Sequence, residues 1–356
     1  MLREKLMQHS IVCSHEDKYS AWPANGGMWS WNDEILVSYT RAGFDPAEKF
    51  HRISKEGIEA IFSRSLDGGA TWAEVPFDNN IYKTGCKPIP TGGLDFSKDG
   101  FVMRVGLPLL KIETDSFITS YDKGDTWHGP YKFPDFEFPL TSRTSYHIEG
   151  RKVMRAFMSY SLPKEVNSHG YTDKAFVALT EDGGASWQFV GAMTTDAPRS
   201  VMPIAVRLKD GTLVASMRRR MKTSAEVDDV WIEVKRSDDD GKTWHSATRA
   251  ADTYNFNNPA NTNGNPPAMC ILNNDNIVLV YGRREPGASS LCFKISKDGG
   301  RNFSNEKCLR YVPNTEDFGY PRLIARADGK CVAAYYIATG DRPVQHIEAT
   351  VFDPLT

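Results

Sequence analysis

The sequence predicts an all-β chain, a single six-bladed β-propeller over residues 1–356, and three observations carry that expectation. An acidic octet containing glycine returns five times, a strand–turn–strand pattern returns six times, and one strand-like run is left over at each end of the chain.

The octets are "SLDGGATW", "SYDKGDTW", "TEDGGASW", "SDDDGKTW" and "SKDGGRNF", with aspartates at Asp67, Asp122, Asp182, Asp239 and Asp298, 55 to 60 residues apart. That period leaves room for four short strands per repeat. Each aspartate falls where a turn between strands is expected, and its carboxylate can accept backbone N–H groups there. Gly69, Gly124, Gly184, Gly241 and Gly300 suit a backbone with positive φ. A calcium loop would need acids at alternate positions and a glutamate at its twelfth, and only "SDDDGKTW" approaches this. The octets therefore read as scaffold, and no metal or other cofactor is expected.

The second repeat consists of alternating apolar segments around tight turns: "MWSWNDEILVSY", "GLDFSKDGFVMRV", "SYHIEGRKVMRAF", "VRLKDGTLVASM", "MCILNNDNIVLVY" and "LIARADGKCVAAYY". Period-two alternation broken by Gly, Asn or Asp is the mark of a β-hairpin. Six hairpins against five octets leave the last repeat incomplete, with "IEATVFDP" as its third strand. "SIVCS" near the N-terminus would supply the fourth and close the ring, which removes exposed sheet edges.

Composition excludes several function classes. Forty per cent hydrophobic and 25% charged residues describe a globular chain, and a net charge of −2 argues against general nucleic-acid or membrane binding. The six cysteines form no C-x-x-C pair, so buried thiols are expected rather than a disulfide or zinc framework. "MLREKLMQHSIVCSHED" has no apolar signal core, so the expected location of the chain as written is the cytoplasm.

If the four strands of a blade alternate in direction, octets and hairpin turns share one face. The starts of the innermost strands and the loops between second and third strands line the other, where function is expected. Arginines gather in those segments: Arg41, Arg143, Arg199, Arg218, Arg219, Arg220, Arg283, Arg284 and Arg322. Guanidinium forks there suit an anionic ligand, an acidic sugar or glycan; the alternative is a solvated rim paired with acids such as Glu226 or Glu285. Trp22, Met202 and Asn265, in "AWPANGG", "MPIAV" and "GNPPAM", join the substrate-binding candidates. Tyr320, in "FGYPRL" after Glu316 and Asp317, is either a packed tyrosine or, beside arginines, a nucleophile. The long first-repeat loop from Arg41 to Glu59 offers Asp45, His51 and Glu59 as general acids.

The octets resemble the Asp-box, or bacterial neuraminidase repeat, and the hairpin order resembles the sialidase superfamily over nearly the whole chain. The resemblance implies a tyrosine nucleophile, matched by Tyr320, and three carboxylate-binding arginines. Arg218 matches the second of these and Arg283 or Arg284 the third. It places Asp45 in the loop of the acid/base. Two positions depart from the pattern: Ala21 stands for the first arginine and Met202 for the glutamate that assists the tyrosine. Arg143 or Arg322 could supply the missing charge, and Glu316 or Asp317 could reach Tyr320. The implied activity is exo-sialidase-type hydrolysis of a terminal acidic sugar. The alternatives are a polysaccharide lyase or other enzyme acting on uronate-containing glycans, in which Tyr320 or His51 abstracts a proton, and a non-catalytic glycan-binding propeller.

Overall fold

A computed structural model describes residues 7–48, 51–106, 115–162, 173–222, 228–253, 264–285, 287–313 and 315–356. Six antiparallel sheets are the six blades of a β-propeller, as the sequence predicts. The chain divides into two compact units, Met1–Phe77 with Ala251–Thr356, and Asp78–Ala250.

In the first unit, the blade nearest the N-terminus is built from β2 (Lys18–Ala21), β3 (Gly27–Trp31), β4 (Glu34–Gly43), β5 (Glu59–Ser65) and β6 (Ala73–Val75). β2 and β3 are two halves of one innermost strand, since both pair with β4. Between them lies the four-residue helical turn α1 (Pro23–Gly26), whose backbone presses so close to β4 that a Cβ on Gly26 would lie 2.2 Å from the Ser38 carbonyl oxygen.

The second blade of this unit runs β18 (Ala268–Ile271), β19 (Ile277–Arg283), β20 (Ser290–Ser296) and β21 (Lys307–Tyr311). The third is made of β22 (Gly319–Ala325), β23 (Cys331–Ile337) and β24 (His346–Phe352), completed by β1 (Met7–Cys13) from the other end of the chain. β1 is therefore the missing fourth strand. All seven residues of β23 and all seven of β24 are buried, because neighbouring strands and blades cover both faces.

The second unit carries β7 (Val102–Val105), β8 (Ser116–Ser120) and β9 (His128–Lys132); β10 (Tyr146–Ile148), β11 (Met154–Ser161), β12 (Asp173–Thr180) and β13 (Gln188–Ala192); and β14 (Arg199–Arg207), β15 (Leu213–Lys222), β16 (Asp228–Ser237) and β17 (His245–Asp252). Each octet connects the last two strands of its blade.

The octets form one repeated hydrogen-bonded turn. The leading hydroxyl of Ser65, Ser120, Thr180, Ser237 or Ser296 accepts the N–H of the fifth residue, a glycine, at 2.8 Å in every copy. That hydroxyl donates to the aspartate, which in every copy also accepts from the backbone N–H and the side chain of the seventh residue, Thr71, Thr126, Ser186, Thr243 or Asn302. These bonds hold the Asp67, Asp239 and Asp298 carboxyls down to about 2. The octets also bond to hairpin turns, as in Gly68 N–H to the Asp33 carbonyl at 2.8 Å and Gly183 N–H to that of Lys152 at 3.0 Å. Octets and hairpin turns thus share a face, which leaves the starts of the innermost strands at the opposite end.

Candidate functional site

At that opposite end three innermost strands are broken in the same way. Trp22, Met202 and Tyr320 each precede a proline and each sits in the left-handed region, with φ of 61°, 55° and 46°. Left-handed backbone is costly for a residue with a side chain, and the position before proline favours extended backbone, so each is strained on two counts. The strand registers record the break: β14 skips from Val201 to Ile204 against β15, and β22 from Gly319 to Arg322 against β23. "WP", "MP" and "YP" were the readable signal, though nothing in the sequence sets the sign of φ.

In the first unit these breaks bring together a connected set of polar and aromatic side chains. Asp317, 6% exposed, accepts from the Tyr19 hydroxyl at 2.5 Å and from the Tyr336 hydroxyl at 2.7 Å. His51 Nδ1 lies 2.8 Å from the same carboxylate, with its side chain 30% exposed. Burial pushes the Asp317 carboxyl up, but the hydrogen bond and charge of His51 and the two phenol donors outweigh it, so the group stays below the ordinary carboxylate range. Burial and the Asp317 charge push the Tyr19 and Tyr336 phenols well up, which keeps both as donors. The edge of Trp22 meets the His51 ring at 5.1 Å, and Tyr320 meets Tyr336 edge-on at 6.1 Å. Chemically this is an ionised carboxylate sealed behind an imidazole that reaches solvent, an arrangement suited to moving a proton.

His51 enters this set because its loop folds back on itself. Phe44 bridges Ile53, and Asp45 N–H donates to the Arg52 carbonyl at 3.0 Å. Asp45 sits at the neck of the loop, where its side chain accepts the Ala47 N–H at 3.0 Å, and Glu59 is exposed at the first residue of β5. Of the three acids proposed from the loop, the structure brings His51 to Asp317.

The arginines are distributed differently from a cluster open to a ligand. Arg284, 1% exposed, donates to the carbonyls of Gly264 at 3.2 Å and Phe318 at 3.0 Å. Arg322, 9% exposed, donates to the Ala24 carbonyl at 2.6 Å and so ties β22 to α1. Arg283 lies between Glu285 and Glu306, the rim pairing weighed as the alternative; Glu226 lies outside the described residues. In the second unit, Arg218 is buried in β15 opposite Val201, and Arg143 donates to the carbonyls of Thr141 and Ser142. Ala21, where the family pattern has an arginine, is fully buried in β2. Asn265 is buried against Tyr320, whose N–H donates to its Oδ1 at 2.7 Å. Tyr19 and Tyr336, which complete the site around Asp317, carried no readable signal: "YYI" looks like any inner strand.

Among the described residues, Cys13, His15 and Glu74 bring three metal-type donor atoms within 4.8 Å of one another. Arg41 Nη1 lies 2.6 Å from Glu74 Oε1 and 3.1 Å from His15 Nε2, so a guanidinium already supplies the positive charge.

No curated protein matches the chain. Among solved structures it is similar to a protein of unknown function from Dyadobacter fermentans, with 17% identity, 97% of each chain covered and a TM-score of 0.68. It is also similar to the alpha-L-arabinanase of Penicillium chrysogenum solved with arabinobiose, with 13% identity, 98% of each chain and a TM-score of 0.61. The phage phi92 endosialidase gives 11% identity, 98% of this chain, 69% of that one and a TM-score of 0.61. At such identities the likeness speaks for the fold. Residues 104–332 match the BNR repeat-like domain family, and with more than half its length inside that match the chain belongs to this family.

Proposed function

We propose that the protein is a carbohydrate-active enzyme of glycosidase type in which His51 is the proton-transfer group and Tyr320 the reacting phenol. The single observation that carries the proposal is the 2.8 Å contact between a partly exposed His51 and a buried Asp317 that two phenols keep ionised. Asp317 would hold a proton of His51 on Nδ1, so that Nε2 is the nitrogen that exchanges one, as the buried acid does in a catalytic triad. In hydrolysis, protonated His51 would donate to the departing glycosidic oxygen while the Tyr320 oxygen takes the anomeric carbon and gives up its phenolic proton to solvent. Water would then add its hydroxyl to the anomeric carbon and its proton to the Tyr320 oxygen, releasing the sugar, and His51 would regain a proton from solvent. Similarity to an arabinanase and an endosialidase supports glycoside chemistry in general.

One observation favours a second reading. Asp317 already accepts from three donors, so it does not serve as one of the two free carboxylates typical of glycosidases. β-Elimination needs no such pair: neutral His51 would remove the proton beside a uronate carboxyl, and Tyr320 would protonate the leaving oxygen. The acidic-sugar reading rests on the arginine-rich loops, yet Arg284 and Arg322 are spent on backbone carbonyls. Neutral arabinans therefore belong in the same substrate panel as sialosides and uronates. Assaying reducing ends together with ultraviolet absorbance of unsaturated uronate separates the two reactions. Turnover is expected to vanish in His51→Gln and Tyr320→Phe. Full turnover in both variants would sink the proposal, and glycan binding without turnover in the wild type would leave a lectin-like propeller.

A further inference from the structure

The backbone at Phe318–Tyr320 needs more support than a strand usually does. Between Gly319 and Arg322 the ladder to β23 is interrupted, so Tyr320 has no place in the register, and Phe318 lies just ahead of the first residue of β22. Buried backbone groups left this way cost stability unless something else bonds to them. Here the carboxamide of Asn265 does so. Its Oδ1 accepts the Tyr320 N–H at 2.7 Å and its Nδ2 donates to the Phe318 carbonyl at 3.1 Å, so one side chain takes the place of a strand partner. The assignment of its oxygen and nitrogen follows from the two partners, one of which can only donate and the other only accept.

A second side chain fastens the same turn. Arg284 Nη2 donates to the Phe318 carbonyl at 3.0 Å, while Nη1 holds the Gly264 carbonyl at 3.2 Å, next to Asn265 in the chain. Two glycines make room for the clamp. A Cβ on Gly319, where φ is 101°, would lie 2.2 Å from Asn265 Oδ1, and one on Gly282 would lie 2.6 Å from Nδ2. Asn265 is fully buried and Arg284 is 1% exposed, so neither presents its polar end to a sugar. Strained backbone persists where the surroundings over-determine it, and such strain concentrates where geometry matters to function.

We propose that Asn265 and Arg284 are positioning residues that hold Tyr320 in its left-handed conformation and thereby aim its phenol, rather than ligands of the substrate. The proposal rests on the reading of Tyr320 as the reacting phenol and is tested apart from it.

The test places 3-fluorotyrosine at position 320 and follows its fluorine resonance in the folded full chain, alongside kcat and KM on whichever glycan the wild type turns over. Asn265→Ala and Arg284→Lys are expected to shift or split the resonance. They should also lower kcat by about 10²-fold while KM stays within about twofold, the signature of a misplaced group rather than a lost contact. Gly319→Ala, which pushes on the carboxamide from the other side, should move the same resonance. Ile277→Ala, at the hairpin-turn end of β19, serves as a destabilised control and should leave it in place. If Asn265→Ala does not fold, Asn265→Ser is measured in its stead. An unmoved resonance in the Asn265 and Arg284 variants, or a rise in KM at constant kcat, would overturn the proposal. Retained turnover in Tyr320→Phe with a displaced fluorine signal would instead remove the reacting-phenol reading and leave the clamp standing.

Discussion

Asp317 is the residue on which the proposed chemistry turns, and its environment explains why. Three donors surround one carboxylate in a buried site, so its charge is kept and its orientation set. In Asp317→Asn the amide can still accept from His51, but its N–H₂ then faces a phenol that can no longer donate to it. We expect kcat to fall by about two to four orders of magnitude with the fold retained, checked by steady-state kinetics beside circular dichroism. At the same scale, Gly319→Ala combines a positive φ with a close contact to the Asn265 amide, and should cost about 1–3 kcal/mol in urea unfolding. The residue scale is where the sequence was hardest to read. Tyr320 and His51 stood out as reactive types in segments that looked functional, and the structure places His51 on Asp317 and Tyr320 against Tyr336. Asp317 stood out only as a residue that could reach Tyr320, whereas Tyr19 and Tyr336 carried no signal, because Tyr19 lies 298 residues from Asp317 and meets it only when the first and last blades of one unit pack together.

At the scale of the element, the octet shows how a short motif makes its own structure. The bonds that close the turn run within eight residues, so it is written locally and could be recognised from the repeat alone. Detail beyond that was missed: the aspartate works through the seventh residue, and the leading hydroxyl is as central as the acid. Ser65 is 1% exposed and bonds to both Asp67 and Gly69, so Ser65→Ala leaves a buried N–H unpaired and should lower stability by about 1–3 kcal/mol, measured by thermal or urea unfolding. The broken innermost strands are elements of the other kind. "WP", "MP" and "YP" mark them in the sequence, but whether a strand before proline continues or turns left-handed depends on what lies beneath it. In β22 that is Asn265, from 55 residues away.

For the whole molecule, acid is the informative perturbation. Asp67, Asp239 and Asp298 titrate at about 2 when folded, as does Glu348, which Arg310 grips with two N–H groups at 3.0 Å. Unfolded carboxylates titrate near 4, so the folded values are the lower ones. Their contribution is complete above about pH 5 and is lost as pH falls from there toward 2. Urea midpoints should therefore drop steeply over that window and less steeply in Asp298→Asn. A flat profile would contradict the bonding described. Closure is the second property of the whole. Removing Met7–Cys13 would strip β24 of its outer partner and expose a strand in which every residue is buried, so the truncated chain is expected to elute as aggregate or unfold.

By itself the sequence determined the all-β class, the count of six blades, the split closing blade and the face on which to look, because turns and alternation are local and repeat. Only the tertiary structure decided which arginines were committed to backbone carbonyls, which of the acids proposed from the first loop joined a network, and that Tyr320 is held by Asn265. These depend on contacts between segments far apart in the chain, where burial and the loss of ladder partners, rather than residue type, set what each side chain does.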